Sequence, residues 1–236
     1  MEALVTGIRQ QVTKIDRSTG IMVTGAIVPF LDKIRVLGVT IDSELSFDDH
    51  ITSVIRACNF HIRTMRHIHR LLNQDAANTN ACSIVCSRLD YCNAVLCGVT
   101  AHNIIRLQSV QNSLARVVCD ATIRSSAINF RKSLHWLPIV ERITYKIAML
   151  TFKVRLHHKP SYLAELVIDH TPSRSLRSSV KELLVEPRTK TKIASRAFSS
   201  APPHIWNNLP VNIRTLTSID GFRNKLKAHL FGVAYD

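Results

Sequence analysis

No run of about 18 apolar residues occurs in this chain, because Arg, Lys, His, Asp or Asn breaks every apolar stretch, and a helix that spans a bilayer is excluded. The opening residues Met1-Glu2-Ala3-Leu4-Val5-Thr6-Gly7 hold neither a basic leader nor an apolar core followed by small residues, so they do not read as a secretory signal. An intracellular, reducing compartment is expected, nuclear or cytoplasmic alike, with the six cysteines as free thiols. Acidic side chains are scarce: 17 Asp plus Glu stand against 31 Lys plus Arg, leaving a formal charge of +14. Such an excess favours an anionic partner, nucleic acid or a membrane surface. Also missing are a C-x-x-C pair, the G-x-S-x-G elbow, the P-loop, the dinucleotide fingerprint and H-E-x-x-H, so motifs alone assign no reaction. No internal repeat of about 20 to 50 residues is present, which removes solenoid architectures.

What is present describes a folded chain. Its 236 residues allow one large domain or two small ones. A hydrophobic content of 46% with 20% charged residues is far from the composition of a disordered polypeptide. Charge is graded along the chain, from a net −2 over residues 1 to 50 to a net +7 over residues 171 to 236. The first 45 residues are short, β-branched and punctuated: Ile21-Met22-Val23 and Ile34-Arg35-Val36-Leu37-Gly38-Val39-Thr40-Ile41-Asp42 read as strands bounded by Gly, Pro29 and Asp. At Ser46 the period changes. Ser46-Phe47-Asp48-Asp49 resembles a capping box, with two carboxylates at the positive end of a helix.

Ile51, Val54, Ile55, Cys58, Ile62 and Met65 then recur at helical spacing and mark a buried face, while Arg56, Arg63, Arg66 and Arg70 gather on its flank as a basic stripe. The spacing predicts a second helix over 75–96 ended by Gly98, and a third over 101–118 with Ile104, Leu107, Val110, Leu114 and Val118 inward. Pro138 opens a fourth helix, stopped by Pro160, whose Arg142, Lys146 and Lys153 again border the apolar stripe. From Thr171 regularity weakens, with a strand near Leu183-Leu184-Val185 and a last helix around Ile219, Phe222, Leu226 and Leu230. Arg188, Lys190, Lys192 and Arg196 alternate with Thr, Thr and Ile, so an extended backbone would aim these cations to one side. The other reading of that stretch is a solvated basic loop.

Two constellations invite a metal. Phe47-Asp48-Asp49-His50 places paired aspartates after an aromatic, as in polymerase metal pairs, but they follow Ser46 into an amphipathic helix, where capping accounts for them. Cys82 and Cys86, with Cys92, Cys97, His61, His67 and His69 nearby, have the wrong spacing for common zinc modules and read as core thiols, with His69 a buried, satisfied histidine.

Val36-Leu37-Gly38-Val39-Thr40-Ile41-Asp42 running into Leu45-Ser46-Phe47-Asp48-Asp49-His50-Ile51, and Ser87-Arg88-Leu89-Asp90-Tyr91-Cys92-Asn93-Ala94, together with strings further on, resemble the C-terminal part of the reverse transcriptase of LINE-type (non-LTR) retrotransposons of the jockey and chicken-repeat kind. Downstream come Leu107-Gln108 with Gln111-Asn112, Leu134-His135-Trp136-Leu137-Pro138-Ile139, Arg174-Ser175-Leu176-Arg177-Ser178, Ser195-Arg196-Ala197-Phe198, Trp206-Asn207-Asn208-Leu209-Pro210 and Phe222-Arg223 with Leu226-Lys227. The resemblance implies a mainly α chain with a small N-terminal β element, of class α+β. Residues 1–45 would be a residual palm edge with a primer-grip-like strand, 46–160 a thumb-like helical domain, and 161–236 a basic C-terminal extension. In that family the catalytic aspartates lie in the palm, upstream of the Leu37-Gly38 strand, and Glu2-Ala3-Leu4-Val5 resembles the tail of the last palm motif.

The expectation is therefore a truncated remnant of an RNA-directed DNA polymerase, inactive alone and without a cofactor of its own, Mg²⁺ belonging to the full-length enzyme. It would bind template-primer, an RNA/DNA hybrid or RNA, through Arg56, Arg63, Arg66, Arg70, Lys146, Arg188, Lys190, Lys192 and Arg196, and no membrane. The alternatives are a helical protein-interaction module that self-associates through surface normally covered by the palm, and a fragment that does not fold stably by itself.

Overall fold

Three two-stranded ribbons precede the first long helix in the computed structural model, which describes residues 2–7, 9–15, 20–171 and 182–236. Their strands are β1 (Ala3–Leu4), β2 (Ile21–Val23), β3 (Ala26–Val28), β4 (Phe30–Leu31), β5 (Lys33–Val36) and β6 (Val39–Asp42), with a one-turn helix α1 (Arg9–Val12) after β1. β1 pairs with β4 in parallel, while β2–β3 and β5–β6 are antiparallel hairpins. The β5–β6 turn is two residues, Leu37 and Gly38, both with positive φ (47° and 81°). Such a turn matches the right-handed twist of the strands, and glycine meets its demand at the second position without cost.

Helix α2 (Asp48–Ile68) starts as the sequence predicts, but its cap is different. Phe47 is left-handed, and the Ser46 hydroxyl accepts from Asp48 N–H, at 3.2 Å. The carboxylate of Asp42 organises the entry: it accepts from the backbone N–H of Ser46 (2.9 Å) and Phe47 (2.7 Å). The buried face of α2 carries Ile51, Cys58, Ile62 and Met65, as the period requires. The helix predicted over 75–96 is a continuous helical run only as far as Asp90, and it is not uniformly α. α3 (Gln74–Ala81) runs into a π-helical turn at Cys82–Cys86 and a short α4 (Ser87–Asp90). Tyr91 is then extended, Cys92 left-handed (φ 50°), and Asn93–Leu96 form a 3₁₀ turn. One extra residue in the π turn rotates everything after it by about 100°, and the helix ends six residues early.

Helices α5 (Ala101–Val118) and α7 (Ile139–His157, preceded by Pro138) have their predicted spans, with α6 (Ala127–Ser133) between them. Short helices α8 (Ser161–Ala164), α9 (Ala201–Asn207) and α10 (Val211–Arg214) lead to the last helix, α11 (Ile219–Tyr235). The predicted strand near Leu184 is a single antiparallel bridge to Asp169. The string Arg174-Ser175-Leu176-Arg177-Ser178 lies outside the described residues. The described residues are mainly helical with small N-terminal strands, an α+β arrangement, and none of their helices is long and apolar enough to cross a membrane.

The chain divides into two compact units, Met1–Cys92 with Val99–Val110, and Asn93–Gly98 with Gln111–Asp236. The N-terminal ribbons and α2 thus share one unit, and α7 shares the other with the C-terminal helices. In the first unit, buried Asn103 donates to Asp48 Oδ1 at 2.6 Å, and Arg106 donates to Asn103 Oδ1 (3.0 Å) and Thr52 Oγ1 (2.7 Å), tying α5 to the start of α2. The core of the second unit is aromatic: Phe222, fully buried, stacks on Phe152 at 4.1 Å and on Trp206 at 5.7 Å between ring centres.

Candidate functional site

A cleft of about 430 Å³ opens in the first unit between the β5–β6 hairpin, α2 and α4. From the hairpin come Arg35 and Thr40, which are direct cross-strand partners and so lie on one face of the ribbon. His50, Ser53, Val54 and Ala57 follow at steps of three, one and three along α2, and together face the cleft. Arg88 and Tyr91 close it from the segment after the π turn. The Tyr91 hydroxyl donates to the Leu37 carbonyl at 2.7 Å, which fixes the ring against the hairpin turn.

Electrostatically the cleft is cationic. Arg35 and Arg88 are exposed at its rim, and neither is ion-paired among the described residues. His50 is only 5% exposed; burial lowers its pKa and the Arg35 charge lowers it further, so its imidazole is neutral at pH 7. Next to Ala57 on α2, burial pushes the Cys58 thiol up to about 11, with the Arg88 charge acting the other way. Two guanidinium groups, hydroxyls, an aromatic ring and an apolar floor suit an anion attached to a flat organic group.

The basic stripe lies elsewhere on α2. Arg56, Arg63 and Arg66 are exposed and not ion-paired among the described residues. At 100° per residue they stand about 110 to 170° around the helix from the centre of the cleft-lining positions. Arg70 falls in the 3₁₀ turn His69–Leu71 after the helix, and its side chain lies outside the description. The remaining sequence-predicted cations belong to the second unit. Lys146 is half-buried on α7. Arg188, Lys190 and Lys192 are exposed, but the backbone does not stay extended: it bends at Lys190 and Thr191 and forms a 3₁₀ turn over Ala194–Arg196. The one-sided ladder is therefore not formed. Arg196 is spent locally, its Nε donating to the Cys97 carbonyl at 2.9 Å. It packs so closely on Gly98 that a Cβ there would stand 2.6 Å from Arg196 Cγ.

The candidate metal residues are occupied by structure. Asp48 accepts from Asn103, and Asp49 pairs with Lys33 at 2.9 Å, so the two carboxylates serve the α2 entry and do not converge on one point. Among the thiols, Cys58 and Cys86 are buried as expected of core residues, whereas Cys82 is exposed. His69 is half-exposed, not buried, with Nδ1 2.7 Å from the Arg66 carbonyl oxygen.

Arg35, His50, Arg88 and Tyr91 were not singled out by periodicity, because they sit on a strand, a helix flank and a post-π segment that only folding brings together. His50, Arg88 and Tyr91 lie within the strings that carry the resemblance, whereas Arg35 stands one residue before the first of them.

No family model matches the chain, and no solved structure matches it. Over 163 residues it is 24% identical to the probable RNA-directed DNA polymerase from transposon BS of Drosophila melanogaster, a match covering 65% of this chain and 17% of that protein. The match thus spans a little under a fifth of its relative's length. It is related, distantly, to a transposon reverse transcriptase.

Proposed function

We propose that this polypeptide is a non-catalytic, C-terminal portion of a LINE-type retrotransposon reverse transcriptase that holds template-primer through sequence-independent phosphate contacts. Residues 1–45 contribute a palm edge and primer-grip-like hairpin, 46–160 a thumb-like region and 161–236 a C-terminal extension. One observation carries the reading: Arg56, Arg63 and Arg66 project from one long helix, exposed and without an ion-pair partner among the described residues. At 1.5 Å rise per residue, Arg63 is about 10 Å along the axis from Arg56 and Arg66 about 4.5 Å further, a spacing on the scale of successive phosphates. The +14 charge supplies long-range attraction to the same polyanion.

The test is fluorescence anisotropy of a labelled RNA–DNA hybrid between about 50 and 200 mM salt. Affinity falls steeply with salt, and the triple variant R56Q/R63Q/R66Q loses about one unit of salt slope for each cation removed. Absent or salt-indifferent binding, or an unchanged triple variant, overturns the reading. A second reading, self-association, is favoured by the β2–β3 hairpin, where the facing pair Met22 and Ile27 are 73% and 67% exposed. A stable dimer without affinity for the hybrid would replace the first reading by this one.

A further inference from the structure

The cleft carries a chemistry that the α2 stripe does not. Its volume of about 430 Å³ falls in the lower part of the roughly 300–1,000 Å³ range of sites for single small ligands, so it has room for one nucleotide and not for a run of duplex. Two cations at the rim, without acidic partners among the described residues, are the arrangement that receives a phosphate. The ring of Tyr91 is 55% exposed, yet its hydroxyl is tied to Leu37, so the aromatic face is held in place before any ligand arrives. Gly38 lies against the edge of that ring: a Cβ there would be in ordinary contact, 3.6 Å from Tyr91 Cε1. Val54 and Ala57 form an apolar floor that an inorganic anion would not use.

From this juxtaposition we infer that the cleft binds one unpaired nucleoside monophosphate unit, its phosphate between Arg35 and Arg88 and its base against Tyr91 and Leu37. The inference deepens the nucleic-acid reading and rests on it for its biological setting, but its test is separate. Adenosine 5′-monophosphate, inorganic phosphate and adenosine are titrated into the full chain by calorimetry. In parallel, an RNA–DNA hybrid with one unpaired 3′ nucleotide is compared with its blunt counterpart.

The monophosphate binds about tenfold or more tighter than phosphate or adenosine, since both halves of the site are engaged. R35Q and R88Q each remove about tenfold or more, with unchanged melting temperature, while K225Q on the exposed surface of α11 changes nothing. A gain from the overhang that R35Q abolishes identifies a strand end as the source; no such gain, with monophosphate binding retained, identifies a free nucleotide. Monophosphate binding no better than phosphate, or indifferent to both arginine variants, overturns the inference. Because R56Q/R63Q/R66Q tests the hybrid reading on the other flank of α2, loss of either activity alone tells the two proposals apart.

Discussion

Tyr91 and Leu37 are 54 residues apart in sequence and are joined by a hydrogen bond of 2.7 Å from the phenol to the carbonyl at the tip of the β5–β6 hairpin. The donor sits just after α4, the short helix that follows the π turn, and the acceptor is in a turn no ordinary side chain favours. The bond therefore couples two local departures from regular structure and places a ring at the mouth of the cleft. Replacing Tyr91 by Phe keeps the ring and removes the bond, at a cost of about 1 kcal/mol. Denaturant unfolding reads the loss, and the same variant weakens monophosphate binding because the ring is no longer held.

Leu37 is left-handed at φ 47° and 84% exposed, so it stores backbone strain without packing in return. A β-carbon in this region costs about 1 kcal/mol, which Asn tolerates better than Leu. L37N therefore stabilises the chain by up to about 1 kcal/mol and raises its melting temperature. A lower melting temperature would show that the Leu37 side chain makes a stabilising contact.

Asp42 accepts from two backbone N–H groups at the entry of α2 and from Glu44 N–H at 3.1 Å. D42N replaces one acceptor oxygen by a donor that faces donors, and costs about 2 kcal/mol. Amide exchange checks this directly: protection falls first in the turn Ser46 to Ile51, before the rest of α2.

His50 gives the cleft a pH dependence. Its folded-state pKa is lowered, chiefly by burial and then by Arg35, with Arg88 lining the same cleft. A lowered histidine binds fewer protons when folded than when unfolded, so its stability contribution is complete above the unfolded value of about 6.5 and is lost as pH falls below it through the folded pKa. Thermal melts from pH 8 to 5 should show wild-type stability declining faster than that of H50Q. Parallel curves would refute the assignment.

Phe222 is fully buried and stacked against Phe152 and Trp206. F222A opens a cavity in the centre of the second unit and costs about 3 to 5 kcal/mol. Tryptophan fluorescence during urea unfolding follows this unit through buried Trp206.

Helical period and punctuation carried much of the fold. Ala101–Val118 and Ile139–His157 were legible because their apolar residues recur at one face and their ends are marked by Gly98, Pro138 and Pro160. The π turn after Ala81 was not legible, since Cys82 to Cys86 are acceptable in α or π geometry alike; downstream of it Tyr91 reaches the Leu37 carbonyl, a long-range bond that no local pattern encodes. At the start of α2 the Ser46 hydroxyl accepts from Asp48 N–H as its sequence position suggests, but the larger part played by Asp42 was not legible, because it lies four residues upstream and acts only once β6 has delivered it.

For the candidate site the division is similar. Composition alone dictated the cationic character, since charge is additive and needs no fold, and the exposure of Arg56, Arg63 and Arg66 follows from the angle each makes with the buried face of one helix. The cleft was decided by tertiary structure. Arg35, His50, Arg88 and Tyr91 come from a strand, two helices and the residue that follows the second helix, and their convergence depends on long-range pairing and one inserted helical residue, quantities that no local pattern encodes.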